Sequence, residues 1–183
     1  MKRYIAATLA AAVAFATPSF AQKKYDPGAS DAEILIGNIV PYSGPASVYS
    51  VYGKVFEGYA NRLNEAGGIN GRKLKIISYD DGYSPPKTVE QARRLVENDE
   101  VLLLFGVVGT PTNAAIMKYM NGKKIPQLFA GSGSSLFADP EHFPWTIGFQ
   151  PNYRAEGRLY AQYVLEKAGS AKVAVLYQDD DFG

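Results

Sequence analysis

The sequence predicts an α/β fold, a doubly wound parallel sheet with helices on both faces. Three observations carry that prediction. Short apolar runs at 34–39, 74–79, 101–105, 126–130 and 172–177 have the length and composition of buried strands. Between them lie longer stretches with apolar residues every three to four positions. The junctions carry helix punctuation, with Ser84-Pro85 and Thr110-Pro111 as starts and Gly67-Gly68 as a stop. Strands alternating with helices build parallel sheets whose connections are right-handed.

Each element follows in turn. Ile34, Leu35, Ile36 and Ile39 mark the first strand, and a loop rich in Gly, Ser, Pro and Tyr follows at 41–50. Val51, Val55, Tyr59 and Leu63 recur every four residues, with Phe56 and Ala60 beside them, and predict the inner face of the first helix. The second strand covers 74–79, and Asp80-Asp81-Gly82 reads as a turn. Val89, Ala92, Leu95 and Val96 give the buried face of the next helix. Strand 101–105 leads through Thr110-Pro111 into a helix containing Met117 and Met120. Strand 126–130 and a short extended piece at 145–149 come next. Asn152 is placed to cap a helix whose inner face is Ala155, Leu159, Tyr163 and Val164, and residues 172–177 predict a last strand.

Composition narrows the function classes. Lys2 and Arg3, an apolar run at 5–16, Pro18 and the small residues of Ser19-Phe20-Ala21 follow the three-part plan of a secretory signal, with cleavage expected after Ala21. That run is shorter than the roughly 20 residues that span a bilayer, so no membrane anchor is expected. Removing the signal leaves 17 basic against 18 acidic residues, from 19 and 18 in the whole sequence. A near-neutral chain with interspersed signs lacks the footprint of a nucleic-acid binder. There is no cysteine, which removes disulfides, thiolate metal sites and thiol nucleophiles. Residues 22–32 read as a flexible leader and 33–148 as a first lobe. Residues 149–183 read as the start of a second lobe, so the chain reads as the N-terminal piece of a longer one.

Ligands of open parallel sheets bind outside the carboxyl ends of the strands. The loops there supply hydroxyls, bare backbone and tyrosine rings with little fixed charge, which suits a small molecule. Thr110 opens a helix whose first N–H groups favour an anion such as a carboxylate, with Thr112 and Asn113 nearby. Capping alone also explains Thr110. The loop Gly131-Ser132-Gly133-Ser134-Ser135 reads either as a ligand cradle or as a flexible connection. Tyr42, Tyr49 and Tyr52 read as a ligand wall or as packing. Asp80-Asp81 and Asp179-Asp180-Asp181 lack calcium-loop spacing and read as solvated turns.

Enzyme readings find little support. His142 is the only histidine, so no His-pair metal site is possible. The Ser/Gly loop lacks the flanking glycines of a nucleophile elbow, and Leu136 stands where a dinucleotide loop needs its third glycine. No catalytic residue, metal site or cofactor is expected.

These features together resemble the solute-binding proteins of branched-chain amino acid-type ABC transporters, the Leu/Ile/Val-binding family. Ile36-Gly37 with Ser43-Gly44-Pro45, Tyr52-Gly53 with Gly58, and Tyr79-Asp80-Asp81 with Pro85 carry the match. Asn64-Glu65-Ala66-Gly67-Gly68-Ile69-Asn70-Gly71 is its most specific part, and Asp181-Phe182-Gly183 ends it. The resemblance implies a two-lobed, type I periplasmic binding protein that docks on a membrane permease. It implicates Gly109, Thr110, Gly131, Ser132, Gly133 and Ser134 in ligand binding, and Phe182 as a covering ring. Gly109-Thr110-Pro111 replaces the serine run common in amino acid binders, which leaves an amide or aromatic acid open beside an amino acid. A sensory receptor domain and a secreted enzyme on the same fold are the alternatives.

Overall fold

The computed structural model describes residues 24–183. The expected signal segment, 1–21, lies outside the described residues. Five parallel strands form one sheet in the order β2-β1-β3-β4-β5. In chain order these are β1 (Glu33–Val40), β2 (Lys73–Asp80), β3 (Leu103–Phe105), β4 (Gln127–Ala130) and β5 (Thr146–Gly148). The helices are α1 (Ser50–Glu65), α2 (Pro85–Glu97), α3 (Thr110–Lys123) and α4 (Tyr153–Ala168). The α/β doubly wound class predicted from the sequence is the observed one.

The strand order explains where the helices lie. β1 to β2 steps one way across the sheet, whereas β2 to β3 and β3 to β4 step the other way. Right-handed crossovers then put α1 on one face and α2 with α3 on the opposite face. The latter face holds the main core. Ile39, Ala92, Leu95, Val101, Leu104, Val107, Ile116 and Met120 are all buried in one cluster. A satellite of Met117, Ala130 and Phe137 extends it toward β4.

α1 is rotated from its expected setting. Gly53 and Ala60 are buried and Phe56 and Leu63 half-buried, while Val51, Val55 and Tyr59 face outward. The cause is close approach. A side-chain carbon at Gly53 would run into the Tyr42 hydroxyl and a methyl of Val40, so the helix packs through its smallest residues. Beyond α1, the same face of the sheet carries a ladder of rings. Phe56 stacks on Phe105 at 4.6 Å, Phe105 meets Phe129 edge-on at 5.3 Å, and Phe129 meets Phe149 at 6.1 Å.

Three further expectations change. Residues 172–177 form no strand; they pair with no other described residue, and Val173, Val175 and Leu176 are exposed. A strand exists only through its ladder partners. α4 is capped by Asn152, whose side chain accepts from the Arg154 N–H at 2.8 Å, but Ala155, Leu159 and Tyr163 are exposed rather than buried. The described part of the expected flexible leader is tied down. Leu35 N–H donates to the Gly28 carbonyl at 2.7 Å and Lys73 N–H to the Ala32 carbonyl at 2.8 Å.

Candidate functional site

The strand order switches between β1 and β3, so the connections leaving these two strands run to opposite faces of the sheet. Such a switch point is where open α/β sheets hold ligands. Its central elements are the loop before α3 and the loop after β4. Adjacent strands bring them together. Gly109 N–H donates to the Gly131 carbonyl at 3.2 Å, and Gly131 N–H to the Val107 carbonyl at 2.8 Å. Thr110 and Ser132, 22 positions apart, then meet with their hydroxyls 2.6 Å from each other, both buried.

Thr110 is therefore not a cap. Gly109 occupies the N-cap position with no side-chain bond, and the Thr110 hydroxyl turns to Ser132 instead. The N–H groups of Thr110 and Thr112 belong to the first turn of α3, which has no partners within the helix; Pro111 offers none. Thr112 and Asn113, expected beside a bound carboxylate, face inward. The Thr112 hydroxyl donates to the carbonyls of Val108 and Gly109 at 2.5 and 3.0 Å. Asn113 Nδ2 donates to the carbonyls of Val107 and Gly109, both at 2.7 Å, and its Oδ1 accepts from Gln127 Nε2 at 2.8 Å. These two side chains hold the loop's shape.

The loop after β4 is ordered by its own hydroxyls. Ser132 Oγ accepts from the Ser134 N–H at 3.1 Å, and Ser134 Oγ accepts from the Leu136 N–H at 3.3 Å. It is thus a shaped turn, not a slack connection. Gly133 receives the N–H of Tyr153 on its carbonyl at 2.9 Å, and the Tyr153 ring lies over its α-carbon. Phe182 meets that ring edge-on at 5.5 Å, so Gly131, Ser132, Gly133, Ser134 and Phe182 fall in one neighbourhood.

The tyrosines divide. Tyr49 and Tyr52 are exposed, with ring centres 6.0 Å apart. Tyr42 turns into the lobe: its hydroxyl pairs with Ser78 Oγ at 2.7 Å, and Ser78 donates to Asn38 Oδ1 at 2.8 Å. It does not join Thr110 and Ser132. Tyr83, absent from the sequence-derived site, is half-buried with its ring against Gly109. Burial pushes its hydroxyl up; Gln178 bonds it in the opposite sense, and Asp180, Tyr153 and Tyr49 lie near enough to act on it. Nothing in the local sequence marks Tyr83, because its ring matters only through the sheet order that sets β2 and β3 on either side of β1.

The acidic pair at the end of β2 is only half a solvated turn, with Asp80 exposed and Asp81 buried. Burial alone would raise Asp80, but hydrogen bonds from Ser43 Oγ and from the N–H groups of Gly82, Ser43 and Tyr42 outweigh it and hold the carboxyl below its ordinary value. Asp80 thereby anchors the loop after β1. Asp81 is fully buried, which pushes its carboxyl up against the opposing bonds from Thr88 and the Tyr83 N–H. Among the described residues no cluster of three or more His, Cys, Asp or Glu side chains is placed to hold a metal ion. His142 lies on an exposed turn with Nδ1 2.9 Å from Asp139.

A strand-order switch with a buried hydroxyl pair at a helix start beside it is an arrangement of the open α/β class. Residues 33–183 match the periplasmic binding protein family, and the chain belongs to it. It is 26% identical over 159 residues to an amino acid binding protein of Pseudomonas aeruginosa, covering 83% of this chain and 41% of the relative. It is 28% identical over 184 residues to Leu/Ile/Val-binding protein homolog 3 of Brucella melitensis, covering 96% and 46%. Among solved structures, an extracellular ligand-binding receptor from Verminephrobacter eiseniae superposes with a TM-score of 0.70 at 25% identity, over 83% of this chain and 43% of that one. A possible leucine/isoleucine/valine-binding protein from Rhodopirellula baltica gives 0.69 at 25%, over 75% and 37%. The chain thus spans less than half the length of these relatives. Among the described residues no helix is long and apolar enough to cross a membrane.

Proposed function

We propose that this chain forms one jaw of the exported, periplasmic solute-binding component of an ABC transporter. The jaw binds a small carboxylate-bearing molecule, either an amino acid (branched-chain or other), an amide derivative or an aromatic acid. The observation that carries the reading is the buried Thr110–Ser132 hydroxyl pair at the N-terminus of α3. One hydroxyl of the pair gives its hydrogen to the other, so the remaining hydroxyl hydrogen and the first-turn N–H groups offer donors to an anion that the helix dipole also favours. Tyr49, Tyr52 and Phe182 supply apolar surface for the rest of the molecule. The relatives named for amino acid binding support the ligand class. Residues 33–148 form an incomplete first lobe and 149–183 begin the second, and in the whole protein the two lobes close on the ligand by a hinge. The closed form docks on a membrane permease. The signal at 1–21 directs export, with cleavage after Ala21.

Titration calorimetry of the complete gene product tests this against leucine, isoleucine, valine, their amides and benzoates. Binding of at least one carboxylate is expected, and Thr110→Val combined with Ser132→Ala weakens it at least tenfold. Absence of binding by every carboxylate in the series refutes the ligand class.

A further inference from the structure

Two aromatic residues hold left-handed backbone, Tyr83 at φ 62° and Phe129 at φ 56°. Phe129 sits in the ring ladder on the α1 face of the sheet. Tyr83 lies in the turn just after β2, a place where left-handed backbone is cheapest with glycine or asparagine. Its conformation is imposed from below, since buried Asp81 accepts the Tyr83 N–H at 2.9 Å and is itself fixed by Thr88 Oγ1 at 2.7 Å. The ring fills the space beside Gly109. A side-chain carbon there would lie 2.5 Å from Tyr83 Cε2 and 2.7 Å from Thr112 Oγ1. Gly109 itself holds φ 106°. Tyr83 thus departs from what stability alone favours, while glycine at 109 suits its own backbone and leaves room for the ring, and the joint result is one ring set beside the start of α3. A strained residue held in place by buried partners points to a role at its position.

We propose that Tyr83 determines specificity: its ring is a fixed wall beside Thr110 that limits the bulk of the ligand next to its carboxylate. This rests on the carboxylate reading of the Thr110–Ser132 site. The hydroxyl is not required for the wall. Gln178, Tyr49 and Tyr153 lie near enough to act on it. The wall predicts that a small side chain tolerant of left-handed backbone at 83 leaves folding intact and admits bulkier ligands.

The experiment uses the complete gene product with two size pairs, L-alanine against L-phenylalanine and benzoate against 2-naphthoate. Affinities are measured by calorimetry and melting temperature by scanning fluorimetry. For whichever pair the wild type binds, Tyr83→Asn is expected to shift the affinity ratio toward the bulkier member by tenfold or more, with a melting temperature within a few degrees of wild type. Tyr83→Phe, which keeps the ring, is expected to hold the ratio within threefold. An unchanged ratio in Tyr83→Asn overturns the proposal, as does a Tyr83→Asn protein that no longer folds, because the ring is then a packing element. A shift of equal size in Tyr83→Phe also overturns it. A wild-type protein that binds neither pair overturns the proposal, because the ring then sorts neither size, and the carboxylate reading itself falls only if leucine, isoleucine and valine also fail to bind.

Discussion

Asn113 offers the sharpest stability test. Its side chain is fully buried and makes three hydrogen bonds, to the carbonyls of Val107 and Gly109 and from Gln127. In Asn113→Ala the partners are not all orphaned: Val107 keeps the Gly131 N–H, Gly109 keeps the Thr112 hydroxyl, and Gln127 Nε2 keeps the Asn113 carbonyl at 3.2 Å. The loss is then close to three net bonds at about 1 kcal/mol each plus a small cavity, roughly 3–4 kcal/mol in all. Asn113→Asp has the same shape but a worse chemistry, since it aims a carboxylate oxygen at two carbonyl oxygens. Its destabilisation at neutral pH exceeds that of alanine. Burial and those carbonyls raise the folded-state pKa of the new carboxyl above its unfolded value. The stability it retains is therefore greatest below the ordinary carboxylate pKa and is lost as pH rises through the raised value. Urea denaturation of the complete gene product, followed by circular dichroism at several pH values between about 4 and 7, gives the free energies. An Asn113→Ala protein within about 1 kcal/mol of wild type, the size of a single net hydrogen bond, refutes the reasoning. So does an Asn113→Asp protein whose difference from wild type is independent of pH.

Two other outcomes follow from the same geometry. Asp80→Asn releases the loop after β1 and lowers stability at neutral pH by about 1–2 kcal/mol, allowing for solvent screening of an exposed group. Because the folded-state pKa of Asp80 is depressed, the advantage of wild type is present above the unfolded carboxylate pKa and disappears as pH falls through the lower folded value; urea midpoints compared across an acid series check the sign. Gly133→Ala drives a methyl into the Pro151 carbonyl oxygen and 2.6 Å from the Tyr153 ring, so α4 must shift or about 2 kcal/mol is lost, seen as a lower melting temperature.

Much of the architecture was legible in the sequence because apolar runs and helix punctuation are local. The four strands that begin the sheet, the helices between them and the Asn152 cap all follow from residues within a few positions of each other. The facing of α1 did not, and the reason is physical. Periodicity selects the largest apolar residues, Val51, Val55 and Tyr59, whereas the helix packs where its side chains are smallest, at Gly53 and Ala60, to admit Tyr42. The loops that build the candidate site were identifiable from their place after strands. The pairing of Thr110 with Ser132, the inward turn of Asn113 and the ring of Tyr83 were not, since each depends on which strands become neighbours. Asp81 reads as an ordinary turn residue until α2 closes over it and supplies Thr88.

Asn64 has a bearing on how this chain behaves in company. It opens the Asn-Glu-Ala-Gly-Gly-Ile-Asn-Gly segment, and its side-chain amide donates to the Leu74 carbonyl at 2.7 Å and accepts from the Leu74 N–H at 2.8 Å. Leu74 lies on β2, the outer strand of the sheet. One side chain thus imitates the backbone of an absent sixth strand at one rung. Lys73 and Lys75 flank that rung with charge. An open strand margin invites pairing with other molecules, and stoppers of this kind discourage it. The motif that best marks the family in the sequence thus occupies, at its first residue, backbone groups through which another strand would pair.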